Sequence, residues 1–393
     1  MSFRAYVLRA LAIIISLLIV LGLFNFSIDP YGMFESPAVE GRNKYKPEAW
    51  EWVGYKAAAI KVKKPQVLIL GTSRTEIGIN PKHRIFTDKV AYNAAVSGGD
   101  FSAIAKYFDY AIKVAPPKEV IIGLDFHTFN IHNIGTSDQG VDPFNDNQSV
   151  YKGLSKVKVA LSLRTLIMSL STLSEQDATV TRWVPGDEGI INPESQEERI
   201  LKKKSQENLF DADEREIPER EYLAPYSFYH ATFNDNDPIN LLRHIVKQAY
   251  EKNIKLTFFI SPAHARYWEV IYRLGLWKQF DTWKSLLVTA LNQEAQISKK
   301  PAFALWDFSG YNTVTMEKVP AKDDEKSRMR WYWESSHYRK EAGDLVLEKM
   351  FANEKYPFDF GLSLTPENVE EHLAQINIAR QSYMQSNARD VKK

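Results

Sequence analysis

Three residues that lie far apart in the chain have the types that nucleophilic acyl chemistry needs: Ser73 in "LILGTSRTEIG", and Glu334 and His337 in "WYWESSHYRKEAGDLVLEKMF". A serine hydroxyl is too weakly acidic to attack a carbonyl at neutral pH. An imidazole must take its proton, and a carboxylate must orient that imidazole. Glu334 and His337 are separated by two residues just ahead of an amphipathic run, close enough for the carboxylate to reach the ring. The block "NAAVSGGD" adds Gly98 and Gly99, where backbone approaches a ligand closely because no side chain intervenes. Taken singly, each signal has a plainer account: Ser73 as a helix cap, the two glycines as an ordinary turn, and His337 as a hydrogen-bonded histidine among aromatics.

A sheet must bring such residues together. Five short apolar runs have strand character: Gln66 to Gly71, Val90 to Val96, Glu119 to Phe126, Lys255 to Ser261 and Ala302 to Ser309. They alternate with amphipathic runs, the pattern of parallel strands joined by helical crossovers, so the fold class is α/β. In "DFSAIAKYFDYAIKV", Phe101, Ile104, Ala105 and Phe108 recur at helical spacing, with Asp100 as N-cap and "APP" as a stop. A second helix, "INLLRHIVKQAYEKN", leads into the fourth strand, and Glu341 to Phe351 closes the fold. Thr365 as cap and Pro366 in the first turn open a C-terminal helix. Reactive groups in open α/β sheets collect at the carboxyl ends of strands, and Ser73 stands two residues past the end of the first. Between the third and fourth strands about 125 residues intervene, more than a crossover needs, so an insertion over about 130–235 is expected. Its middle, Glu194 to Glu221, is charged with mixed sign and reads as a solvated surface helix or a mobile loop.

Ahead of the sheet, Ala10 to Ile28 is an uncharged stretch of 19 residues, long enough as a helix to cross roughly 28 Å of hydrocarbon. Arg4 and Arg9 precede it and by the positive-inside tendency stay cytoplasmic, which sends the rest outward. A cleaved signal peptide is the competing reading. The bulky flank "LFNFSIDPYG" lacks a small-x-small site and favours an uncleaved anchor. The expected layout is a cytoplasmic N-terminus over 1–9, a transmembrane helix over 10–28, a lead-in over 29–64, an α/β domain over 65–356 and a helical tail over 357–393.

The 393 residues are 44% apolar, ample for a packed core. Fifty Lys and Arg against 49 Asp and Glu build no field for phosphate backbones, which argues against a nucleic-acid partner. Cysteine is absent, removing disulfides and thiolate sites. The eight histidines are scattered, with no HxxxH or HxH pairing, so no metal site is expected. No cofactor is expected either. His264 follows the fourth strand and either lines the same crevice or packs under the insertion. The aromatic residues are sugar-stacking surfaces or simply core and rim.

A strand with GTS, a strand with SGG and an ExxH before a helix occur in one order around one expected sheet. In this the sequence resembles the SGNH hydrolase superfamily, the GDSL-like esterases and acyltransferases. The layout of an anchored N-terminus followed by "GTSR", "GLDF", "FFISPAHA", "LWDFSGYN" and "ESSHY" looks most like membrane-anchored SGNH-like proteins of bacterial cell-envelope polysaccharide pathways. The resemblance covers roughly Gln66 to Phe351 and implies a three-layer fold with a central, mostly parallel sheet. It implies Ser73 as nucleophile, His337 as general base, Glu334 as orienting acid and Gly98 as an oxyanion N–H donor. Asp125, Asn93, His264 and Arg74 complete the oxyanion and substrate-binding set it implies. Three departures stand out: Thr72 replaces an aspartate, Glu334 replaces an aspartate, and Asp125 replaces the asparagine of the third block. An ionised carboxylate donates no hydrogen bond, so Asp125 serves an oxyanion only when protonated; neighbouring His127 is a substitute donor. The implied activity is O-acyl transfer or ester cleavage, with acetyl the favoured group, on an extracytoplasmic carbohydrate. The implied partners are the membrane, through the N-terminal helix, and a multi-pass acyl-donor protein. The rival expectation is a non-catalytic carbohydrate-binding or scaffolding subunit.

Overall fold

Val67–Leu70 is apolar at every position and buried on both faces, as a central parallel strand must be, and it forms β1. The computed structural model describes residues 2–32, 34, 36–37, 39–44, 46, 53–132, 156–176, 189–191, 193–222, 225–352 and 359–387. The remaining strands are β2 (Ala91–Asn93), β3 (Glu119–Leu124), β4 (Lys255–Ile260), β5 (Ala304–Asp307) and β6 (Leu362–Leu364). The helices are α1 (Phe3–Ile28), α2 (Val53–Lys63), α3 (Ser73–Gly78), α4 (Phe101–Val114), α5 (Leu163–Ser174), α6 (Pro193–Lys203), α7 (Gln206–Glu221), α8 (Pro238–Lys252), α9 (Ala265–Arg273), α10 (Trp277–Ser298), α11 (Lys340–Phe351) and α12 (Val369–Ser386).

The chain divides into two compact units, Met1–Val62 with Asp138–Gly186, and Lys63–Ser137 with Asp187–Lys393. In the second, six strands are ordered β2-β1-β3-β4-β5-β6, parallel except for the last. The order reverses between β1 and β3, and crevices for ligands open at the carboxyl ends of strands at such a switch point. Val67, Ile69, Ile121 and Phe259 pack with Ala342, Val346 and Leu347 of α11 on one face. On the other face α4 lies against β1, and α8 against both α4 and β4, with α10 beside α8 and its buried Lys284 paired with Asp307 of β5. The side chains that fill these layers are almost all fully buried, at about 1.5–3 kcal/mol each, so the sheet is a rigid platform.

The five expected strands are all present, β1, β2 and β5 trimmed at both ends and β3 and β4 only at their C-terminal ends, and α4 begins as expected with the Asp100 side chain accepting the Ala103 N–H at 2.9 Å. Three expectations change. The tail over 357–393 is not purely helical, because Leu362–Leu364 joins the sheet antiparallel to β5. Its helix starts after Asn368 rather than at Thr365; the Asn368 Oδ1 accepts the Thr365 N–H at 2.8 Å and holds the preceding turn outside the helix. The charged run Glu194 to Glu221 is not a solvated helix or a loop. It forms α6 and α7, and α7 buries Gln206, Leu209, Phe210, Asp213, Glu214, Ile217 and Glu221. Part of the insertion, about 130–235, lies outside the described residues.

The first unit contains α1, which extends the expected span back to Phe3 and is capped by the Ser2 hydroxyl. It is long and apolar enough to cross a membrane. α5 belongs to this unit and packs on α1.

Candidate active site

β1 ends at Leu70, Gly71 turns the chain, and α3 starts with Ser73 as its first residue. The cap is Thr72: its hydroxyl oxygen accepts the Arg74 N–H at 3.3 Å and donates to Asp125 Oδ2 at 2.5 Å. Ser73 is thereby relieved of the capping role, and its half-buried Oγ lies 2.7 Å from His337 Nε2.

The histidine arrives on a tight loop. Tyr332 and Tyr338 form an antiparallel bridge, the Trp333 N–H donates to the His337 carbonyl at 3.0 Å, and Glu334 to His337 fill the bend between them. Within the bend the Glu334 carboxylate is fixed by its own neighbours. Oε2 accepts the Ser336 N–H at 2.6 Å, the His337 N–H at 3.1 Å and the Ser336 hydroxyl at 3.0 Å. Oε1 bonds His337 Nδ1. With Nδ1 bound to the carboxylate, Nε2 is the nitrogen presented to Ser73. A serine oxygen, an imidazole and a buried carboxylate therefore form one hydrogen-bonded line, although 264 positions separate the first two.

Helix α7 governs the charge of this line. Gln206 donates from Nε2 to the carbonyls of Tyr332 (2.7 Å) and Trp333 (3.1 Å), and the Ser335 hydroxyl donates to Asp213 Oδ2 at 2.7 Å. Burial pushes the Asp213 carboxyl well above the ordinary range, and the charge of Glu334 pushes it further. Burial also penalises the Glu334 charge, but His337, Arg199 and a hydrogen bond from Asp213 outweigh it and hold Glu334 well below that range. Asp213 accordingly keeps the proton, and Glu334 stays anionic beside the imidazole. That is the arrangement that stabilises an imidazolium as it forms.

A scan against protein-family models found none that matches this chain, and searches of curated proteins and of solved structures likewise returned no match.

The other expected site residues fall into two groups. Gly98 lies in an exposed turn with φ of 68°, a left-handed conformation that glycine adopts without strain. Among the described residues neither its N–H nor that of Ser73 has a hydrogen-bond partner. The remaining four are committed to the protein, which corrects their expected substrate-facing roles. Asp125 accepts from Thr72 and pairs with Arg74 at 3.3 Å, so it fixes the turn before Ser73 as an acceptor and donates nothing to an oxyanion. Arg74 is buried; its Nε donates to the Ser336 carbonyl at 3.0 Å and its Nη2 to Glu221 at 2.7 Å, tying the nucleophile's helix to the histidine's loop. Asn93 donates to the carbonyls of Thr75 and Ile79 and accepts the Ala95 N–H, which leaves its amide inside the fold. His264 is packed edge-on against Phe210 and Tyr332, with Nε2 bonded to the Glu317 carbonyl; burial lowers its pKa to about 3. Of its two expected places, the structure gives the packed one. His127 lies 2.9 Å from Arg74 Nη1, and because a guanidinium only donates, Nδ1 accepts and Nε2 carries the proton. Burial pushes the His127 pKa down to about 4.

Sequence reasoning missed Gln206, Asp213 and Glu221. A weak signal exists: Gln206, Asp213 and Arg220 recur every seven residues, on one face of α7. Two glycines complete the frame. A Cβ on Gly78 would stand 1.9 Å from Tyr338 Cε2, and one on Gly343 would stand 1.9 Å from the Gly78 carbonyl oxygen, so α3 and α11 touch backbone to backbone. Among the described residues no cluster of three or more His, Cys, Asp and Glu side chains is placed to hold a metal ion.

Proposed function

We propose that this protein is an SGNH-type serine acyltransferase or esterase acting on an extracytoplasmic carbohydrate, with acetyl as the transferred group. The observation that carries the proposal is the 2.7 Å separation of Ser73 Oγ and His337 Nε2, with Nδ1 of the same ring on buried Glu334. Ser73 Oγ attacks the acyl carbonyl as His337 Nε2 takes its proton, and the N–H groups of Ser73 and Gly98 receive the oxyanion. The imidazolium then gives its proton to the leaving oxygen, and an acyl-Ser73 ester remains. A sugar hydroxyl or water, deprotonated by the same Nε2, attacks this ester and releases Ser73. The two outcomes differ only in this last acceptor.

The α/β switch-point location of Ser73 and the order of the blocks support an SGNH-type reading. Carbohydrate as substrate, a periplasmic location and a membrane acyl donor follow from the resemblance of the layout together with α1. The test is labelling of the full chain with a fluorophosphonate, alongside hydrolysis of p-nitrophenyl acetate. Both are expected to be abolished in Ser73→Ala and to fall by about 10⁴-fold or more in His337→Ala. Ester analysis of envelope sugars in cells carrying Ser73→Ala then identifies the acceptor. Absence of labelling together with saturable glycan binding establishes the non-catalytic alternative.

A further inference from the structure

Helix α5 has the polarity of a membrane-embedded helix. Its buried positions are Thr165 (2% exposed), Ser169 (0%) and Thr172 (0%), whereas Leu163, Ile167 and Leu170 are 70%, 60% and 53% exposed. Water drives the opposite arrangement, with leucine inward and threonine outward. In lipid, helices pack through small residues and turn their large apolar side chains outward, because hydrocarbon is as apolar as leucine.

The second observation is depth along α1. Asn25, fully buried near the C-terminal end of that helix, donates from Nδ2 to the carbonyls of Ala160 (2.7 Å) and Ser162 (3.3 Å) and accepts the Ser169 hydroxyl at 3.0 Å. Leu161 reaches further back, its Cδ2 only 3.2 Å from where a Cβ on Gly22 would lie. Gly22 is six residues, roughly 9 Å, inside the end of the helix. A bilayer that covers α1 to Ile28 therefore also covers Leu161 and the start of α5. The Asn25 amide satisfies the Ala160 carbonyl, which would otherwise face hydrocarbon unpaired, and adds a second bond to the Ser162 carbonyl, which already accepts the Leu166 N–H.

The third observation is charge. The segment leading into α5 and its first turn carry Lys156, Lys158 and Arg164, all exposed, and the first acidic residue after them is Glu175, the C-cap of the helix. Basic residues flanking an apolar face favour anionic headgroups. At 12 residues, roughly 18 Å, α5 is too short to span.

We infer that α5 is a second membrane-contacting element, seated in the leaflet at the C-terminal end of α1, with Leu163, Ile167 and Leu170 in the acyl region, Lys156 and Lys158 at the headgroups, and the long side chain of Arg164 reaching back toward them. The occupant of its apolar face is lipid.

The chain has no cysteine, so single cysteines report cleanly. Full-length protein in lipid nanodiscs carries an environment-sensitive fluorophore at Ile167→Cys, with Ile15→Cys on α1 and exposed Lys247→Cys on α8 as references. Replacing part of the lipid by chains bearing a nitroxide or bromine quencher is expected to lower emission at positions 167 and 15 by roughly twofold or more, and to leave position 247 unchanged. Leu170→Cys repeats the measurement should the label at 167 disturb packing. Position 167 unquenched, and reactive toward a membrane-impermeant maleimide to the same extent as 247, overturns the inference. So does shielding of 167 from both quencher and maleimide, which assigns the face to a second copy of the chain. Failure of the Ile15 label to be quenched overturns it as well, since α5 has then no bilayer to enter.

Discussion

Two helices of the long stretch between β3 and β4 have opposite interiors. α7 buries Asp213, Glu214 and Glu221 and places Glu207 and Asp211 against Arg266, a guanidinium with no exposure at all. α5 buries hydroxyls and turns leucines outward. α7 buries charges beside its apolar Leu209, Phe210 and Ile217, whereas α5 inverts the rule of apolar inside and polar outside. α7 packs with its charges against opposite charges: Arg266 with three carboxylates, and Arg74 and Arg220 with Glu221, while neutral Asp213 accepts a further hydrogen bond from Arg220. α5 is exposed because its surroundings are apolar. Burial thus reports what surrounds a helix as much as which residues compose it.

Arg266→Ala should have the largest effect. It removes the buried guanidinium shared by Glu207, Asp211 and Glu214, leaving the exposed Lys322, at 3.9 Å from Asp211, as a cation paired with them, at a cost of about 3–5 kcal/mol. Chemical denaturation of the full chain in detergent checks this, and loss of less than about 1 kcal/mol would make α7 an ordinary surface helix.

Acid should come next. His127 and His264 both pack against α7, and burial holds them neutral, with pKa values of about 4 and about 3 against 6.5 in the unfolded chain. Between 6.5 and those values the unfolded chain binds protons that the folded chain refuses, so stability falls as pH falls. From pH 7 to pH 5.5 the loss should be roughly 2 kcal/mol, at about 1.4 kcal/mol per pH unit for each group. The same denaturation at the two pH values measures it, and a flat response removes the assignment of neutral buried imidazoles.

Asp213 sharpens the contrast on a finer scale. Because it holds a proton, Asp213→Asn should keep stability within about 1 kcal/mol and retain most Ser73-dependent ester hydrolysis, whereas Asp213→Leu removes the partner of Glu334, Ser335 and Arg220 and should cost about 1–3 kcal/mol. Equal effects from both would show that Asp213 is ionised. Smallest of all, Ile167→Ser should change the stability of the folded chain by no more than about 0.5 kcal/mol, since its side chain makes few contacts with protein. A larger loss in the same assay would place Ile167 against protein rather than lipid.

The sheet was legible because parallel strands buried on both faces read as continuous apolar runs: "VLIL" and "TFFI" announce themselves. β6 did not, since three residues of "LSL" give too short an alternation. In the site, Ser73, Glu334 and His337 were visible because their chemistry depends on residue type and local spacing. The supporting charges were not. Arg74, Asp125, Glu221 and Asp213 act through partners from 51 to 262 positions away, and a charge that will be paired looks the same in sequence as a charge that will be solvated. The sequence misplaces Asn93, and leaves His264 between two places, for a related reason. Position near a strand's end was visible, but whether a side chain turns toward the crevice or into the protein is decided by its hydrogen-bond partners.

The abutting backbones of Gly78 and Gly343 work as a gauge block. Each glycine sits a few residues after one end of the proton path, so the gap across which the proton travels is machined by atoms that are not there. One methyl at position 343 would have to retreat from 1.9 Å to at least 3.0 Å from the Gly78 oxygen. A shift of that size, passed along two short helical arms, is comparable with the tolerance on a donor–acceptor distance. Tuning this protein by enlarging residues along that seam would therefore open the circuit long before it unfolded the sheet.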